Sequence, residues 1–155
     1  MMMTSKAEKE LMEWKEVNTR LLLVKYKLMQ CNMSLLVYYA PTNDSPEEMK
    51  DEYYEELQNV IDEIPERGME IVMGDLSAKV GRNNQGIENV MSVEGLGEVT
   101  NENRAHFMNF CSTNNLHIAV TVFQHKYIHK YTWTSPCDNY KNQIHHIAIN
   151  KEQGL

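Results

Sequence analysis

A chain of 155 residues is long enough for one domain with a single core and short for two. Apolar residues make up 42% and charged residues 24%, which excludes a disordered polar chain. The net charge of −7, from 22 acidic against 15 basic side chains, excludes a protein that grips nucleic acid through a basic face alone.

In chain order, residues 1–14 have no apolar core and alternate Lys with Glu, so they do not read as a secretory signal; residues 4–14 carry a weak helical pattern. Residues 20–28 (RLLLVKYKL) and 34–40 (SLLVYYA) are rich in Leu, Val and Tyr and predict an antiparallel pair with a short turn between them. Apolar runs such as Leu21-Leu22-Leu23-Val24 are far short of the ~20 residues that cross a bilayer. Ser45-Pro46-Glu47-Glu48 has the form of a capping box, with Ser45 accepting from the Glu48 amide. Met49, Tyr53, Leu57, Val60, Ile61 and Ile64 then recur at helical spacing until Pro65 and Gly68 stop the helix. Residues 69–76 read as a strand, 83–97 as a glycine-rich loop, and 102–114 as a second helix burying Phe107, Phe110 and Cys111. Residues 116–123, 131–135 and 143–149 are further expected strands. This alternation predicts a single α/β or α+β domain over 1–155.

The sharpest local feature is Ile71-Val72-Met73-Gly74-Asp75-Leu76-Ser77, an apolar strand that ends in Gly-Asp. If the chain stays extended, Asp75 and Ser77 face the same side, at the end of a strand where α/β proteins place their chemistry. A carboxylate that only caps the following turn explains the motif equally well. Tyr38-Tyr39-Ala40-Pro41-Thr42-Asn43 leaves its strand through Pro41, so Tyr39 can present a hydroxyl to a phosphate or simply pack at the strand end. In Ile144-His145-His146-Ile147 the two adjacent histidines must face opposite sides of a strand, so at most one belongs to a site. His125 and His129 lie four apart in a loop pattern rather than a helix, which argues against a zinc site there. The three cysteines, Cys31, Cys111 and Cys137, form no CxxC pair; with no apolar leader, an intracellular location, nucleus or cytoplasm, is expected, with no membrane partner.

Taken in order, YAPTND, an acidic amphipathic helix ending in IDEIP, IVMGDLSAKVG, NFCSTNNL, HKYTWTSP and NQIHHIAIN resemble the endonuclease domain of non-LTR (LINE-type, RTE-like) retrotransposons and of the craniofacial development protein 2-like group. That domain belongs to the endonuclease/exonuclease/phosphatase family. The likeness runs from about Ala7 to Asn150. It implies a DNase I-like four-layer α/β sandwich, here partial, that nicks DNA with Mg²⁺ or Mn²⁺. It also implies that Tyr39 lies against the scissile phosphate and that Asp75 orients or deprotonates the attacking water.

The departures from that pattern carry as much information as the matches. Ser77 stands where the family's GDFN or GDLN motif has a phosphate-holding Asn, and is shorter with no amide donor. His145 stands where an IDHI or LDYI strand motif has an Asp, so a hard oxygen ligand becomes an imidazole. The family's closing Ser/Thr-Asp-His motif and its opening metal-binding Asn and Glu have no counterpart, so the resemblance implies a truncated domain. Tyr39 and Asp75 are then vestigial catalytic residues, and Asp75 is the sole plausible carboxylate ligand left. The expected outcome is a catalytically inactive copy that holds no Mg²⁺ or Mn²⁺, binds DNA weakly or not at all, and takes no small-molecule cofactor. The alternatives are an active endonuclease completed by another chain, or a non-catalytic module for an unnamed protein partner.

Overall fold

The computed structural model describes residues 4–65, 67–137 and 139–150. A six-stranded mixed sheet forms the centre, in the order β1 (Leu11–Asn18), β2 (Leu21–Lys27), β3 (Asn32–Tyr39), β4 (Met69–Asp75), β8 (His145–Asn150) and β5 (Leu116–Ile118), and a separate two-stranded ribbon pairs β6 (Trp133–Thr134) with β7 (Lys141–Asn142). The chain enters through helix α1 (Ser5–Glu10), then strand β1 (Leu11–Asn18). The helical expectation for residues 4–14 is therefore corrected: only six residues are helical, and the rest pair with β2 as an edge strand. Glu13 opposes Lys25 across that pairing, and a cross-strand ion pair of 3.2 Å rewards the extended form.

Strands β2 (Leu21–Lys27) and β3 (Asn32–Tyr39) are antiparallel neighbours, as their composition predicts. From β3 the chain crosses through helix α2 (Glu47–Asp62) to strand β4 (Met69–Asp75), which runs parallel to β3. The capping box does not form. Pro46 occupies the cap position, so Ser45 sits one residue too early, and its hydroxyl contacts Thr42 Oγ1 at 3.1 Å instead. The buried stripe of α2 runs through Lys50, Tyr53, Leu57, Val60 and Ile61, while Met49 is 47% exposed. Lys50 wins the inner position because its aliphatic stem packs inward while its ammonium lies 3.3 Å from Glu47 and 3.4 Å from Glu102.

Helix α3 (Glu102–Thr113) buries Phe107, Phe110 and Cys111 as expected, and leads into strand β5 (Leu116–Ile118). The expected strand over 116–123 is cut to three residues. The Thr121 hydroxyl donates to Ile118 O at 2.7 Å and accepts from Ser92 N at 2.9 Å, which folds Ala119–Thr121 into a 3-10 turn. A second 3-10 turn covers Tyr127–His129, where a loop was expected. The strand expected over 131–135 shrinks to β6 (Trp133–Thr134), paired with β7 (Lys141–Asn142). Strand β8 (His145–Asn150) then inserts antiparallel between β4 and β5.

The core lies between the sheet and the two longer helices. Leu21, Leu23, Leu36, Tyr38, Val72 and Ala148 join Tyr53, Leu57, Phe107 and Phe110 in one buried cluster. Fully burying one such side chain contributes roughly 1.5–3 kcal/mol. On the opposite side of the sheet, Leu22, Leu35, Val37, Ile71, Met73 and Ile149 are half-buried and Ile147 is 39% exposed. Among the described residues no helix is long and apolar enough to cross a membrane.

Candidate active site

Strand register assembles the site from three distant segments. Tyr39 at the end of β3 pairs with Asp75 at the end of β4, and Asp75 pairs with His145 at the start of β8. Paired residues project from the same face of a sheet, so these three side chains form one row across three strands. Gly74 makes the approach possible: its φ is +152°, and a Cβ there would stand 1.8 Å from Tyr38 O. Only glycine fits that position without moving the neighbouring strand.

Asp75 does two jobs. Its Oδ1 accepts from Ser77 N at 2.9 Å, with the Ser77 hydroxyl 3.5 Å away, so it caps the turn that follows β4. The chain is not extended at Ser77, where φ is +47°, which corrects the expectation that Asp75 and Ser77 project together from one strand. The Asp75 Oδ2 lies 3.8 Å from His145 Nε2, beyond hydrogen-bond range. The Asp75 side chain is 18% exposed and that of His145 44%, so both reach solvent.

The two adjacent histidines separate as strand geometry requires. His146 is buried, its Nε2 2.8 Å from Ala78 O, and burial pushes its pKa down to about 4, so it is a neutral structural group. His145 is held from behind: Thr132 Oγ1 accepts from Ile144 N at 3.0 Å and His145 N at 3.1 Å, which ties the β6–β7 segment to the site.

Several supports were invisible to motif reading. Arg20 lays its guanidinium over the Tyr39 ring, 5.6 Å from the centroid. Asn101 Nδ2 donates to Ser77 O at 2.7 Å, and its Oδ1 accepts from Lys79 N at 2.8 Å. Asn103 Nδ2 donates to Pro41 O at 3.0 Å, bracing the turn after β3. Polar residues just before and inside a helix's first turn were the available signal.

Does this row suit Mg²⁺? That ion demands near-octahedral oxygen coordination and is commonly held by one or two carboxylates together with substrate phosphates. Here Asp75 gives one oxygen to a backbone amide and faces an imidazole with the other. Among the described residues no group of three metal-ligating atoms includes Asp75. The row therefore offers the ion one carboxylate, with Oδ1 already taken by a backbone amide. The three-atom group that does occur joins Glu47 and Asp51 of α2 to His106 of α3, within 4.8 Å of one another. It works as an interhelical hydrogen bond, with His106 Nε2 2.7 Å from Glu47 Oε1 and the imidazole stacked on Tyr54.

The chain is 35% identical over 134 residues to craniofacial development protein 2 of Bos taurus and 32% identical over 134 residues to that of Tragulus javanicus. These alignments cover 86% of this chain and 22% and 23% of the relatives, so the chain spans about a fifth of the curated proteins it matches. The chain is homologous to a segment of craniofacial development protein 2. No protein-family model matches it. Among solved structures, the endonuclease domain of TRAS1, a telomere-specific non-LTR retrotransposon, superposes with a TM-score of 0.53 at 15% identity, over 86% of this chain and 51% of that one. An endonuclease/exonuclease/phosphatase family protein from Leptotrichia buccalis gives a TM-score of 0.52 at 13% identity, over 85% of this chain and 42% of that one. The fold is therefore DNase I-like.

Proposed function

We propose that this chain is a degenerate, retrotransposon-derived endonuclease domain that keeps the DNase I-like scaffold and does not cleave DNA. The observation that carries this reading is the pairing of Asp75 with His145, where hydrolysis assisted by Mg²⁺ needs a second hard oxygen ligand. An imidazole is a softer donor that suits zinc, copper or iron better than magnesium. Removing one member of a group that acts jointly abolishes most of its rate rather than a share. The net charge of −7 adds to this, because without a bridging cation the chain repels phosphate backbones. Tyr39 and Asp75 are then remnants of the phosphate and water sites.

The test is nicking of supercoiled plasmid by the purified chain in Mg²⁺ or Mn²⁺, together with calorimetric titration of each metal. We expect neither nicking nor saturable metal binding. Nicking that disappears in Asp75→Ala would overturn the reading. A second reading, a non-catalytic interaction module, is favoured by the partly exposed apolar side of the sheet, from Leu22 to Ile149.

A further inference from the structure

The sheet ends on β1, whose residues 12–16 are exposed one after another. Among the described residues no backbone hydrogen bond joins residues 12–17 to anything but β2. A row of amides and carbonyls therefore points outward, able to take another strand. The opposite edge, β5, is three residues long and buried throughout, so it offers no such row. Irregularities in β1 between Leu11 and Glu13 and between Glu16 and Asn18 leave residues 13–16 as its regular stretch.

Charged side chains on an edge ordinarily keep other strands away. Here their order selects which strand can approach. When two copies of a strand pair antiparallel about a two-fold axis normal to the sheet, each face stays on its own side. Opposed residues then lie an even number of positions apart, and the residue on the axis meets itself. Of the regular positions, Glu13, Lys15 and Glu16 on the axis would each bring like charges together. Trp14 on the axis instead brings two indoles together and sets Glu13 opposite Lys15 of the second copy, twice by symmetry.

We propose that β1 pairs with β1 of a second copy of this chain, antiparallel and with Trp14 on the two-fold axis, merging two sheets into one. The partner is a second copy because the charge order of this strand is its own complement about Trp14. Within one copy Glu13 already lies 3.2 Å from Lys25 Nζ, and Lys15 Nζ lies 3.2 Å from Glu63. Across the join, Lys25 and Glu13 of one copy meet Lys15 and Glu63 of the other in alternating sign, which makes a network rather than an isolated surface pair. Trp14, 60% exposed, also ends an apolar row: it pairs with Val24, Val24 with Leu35, Leu35 with Ile71, and Ile71 with Ile149. Joining the edges at Trp14 makes that row continuous through both copies.

Sedimentation equilibrium of the full chain tests this. So short a regular stretch makes a small interface, so a monomer–dimer equilibrium with Kd on the order of 10 µM is expected. Glu13→Lys and, separately, Lys15→Glu should each weaken it about tenfold or more, because like charges then face each other twice. The double variant, Glu13→Lys with Lys15→Glu, reverses the order without breaking the match and should dimerise to within about threefold of the parent. All three changes are at exposed side chains, and circular dichroism confirms the fold of each. Three results overturn the proposal: a parent that stays monomeric up to about 200 µM, a dimer indifferent to both single reversals, or a folded double variant that remains a monomer. A dimer of the second kind would be held by the apolar side of the sheet and not by β1.

Discussion

Asp75 Oδ2 and His145 Nε2 face each other at 3.8 Å across the β4–β8 pairing, with Tyr39 on the other flank of the same aspartate. A row that would need shared oxygen ligands instead pairs one carboxylate with one imidazole. Ser77 and His145 are the two positions at which oxygen and amide groups can be returned to this row. His145→Asp with Ser77→Asn should create Mg²⁺ binding detectable by calorimetry, because a second carboxylate then opposes Asp75. The Ser77 backbone, at φ +47°, accepts Asn more readily than most residues, so the double variant should fold as well as the parent. A folded double variant that still ignores Mg²⁺ would show that the scaffold, not the two substitutions, has lost the site.

Gly74→Ala should be severely destabilising. The added methyl would collide with the Tyr38 carbonyl, which belongs to the adjacent strand, and the φ of +152° is strained for any L side chain. A loss of about 3 kcal/mol or more is expected from strain and displaced pairing together. Urea unfolding of the variant beside the parent measures it, and an unchanged midpoint would refute the close approach.

Acid should weaken the fold through His146. Its pKa is about 4 when buried, against an ordinary value of 6.5, so the unfolded chain takes up the proton more readily. Stability is complete above pH 6.5, falls as the pH drops toward 4, and levels off below that. Between pH 7 and pH 5 this one group removes about 2 kcal/mol. Urea midpoints at the two pH values should differ in the parent and converge in His146→Gln, whose amide can still donate to Ala78 O.

Lys50 separates the value of a stem from that of a charge. Its ammonium pairs with Glu47 and Glu102, both largely exposed, while its chain is packed to 2% exposure. Lys50→Met keeps the stem and should shift stability by less than about 1 kcal/mol. Lys50→Ala empties the space and should cost about 2 kcal/mol. Equal losses would mean that the charge is what matters.

How much of this was legible in the sequence follows from the range of the interactions involved. The stripe from Tyr53 to Ile64 and the strands around Leu23, Leu36 and Val72 declare themselves because burial repeats with a short period. Strand β1 hides because it is an edge: Trp14 is 60% exposed and Met12 54%, so no apolar alternation marks it. Thr121 ends β5 through hydrogen bonds to Ile118 and Ser92, the latter partner 29 residues away. The row of Tyr39, Asp75 and His145 could be named only by resemblance to a family, because strand register, not spacing, brings these residues together. Arg20 and Asn101 had no motif to announce them, since each acts on a residue chosen by tertiary folding.

The half-covered side of the sheet has a consequence for that row. Ile71 and Met73 precede Asp75 at two-residue steps, Ile147 and Ile149 follow His145 in the same way along the antiparallel β8, and Leu35 and Val37 lead to Tyr39. The greasy band and the polar trio are therefore one continuous surface, and whatever shields the first forms a roof beside the second. Hydration of Asp75 and His145 is in this way tied to the state of a patch that contains no titrating group of its own.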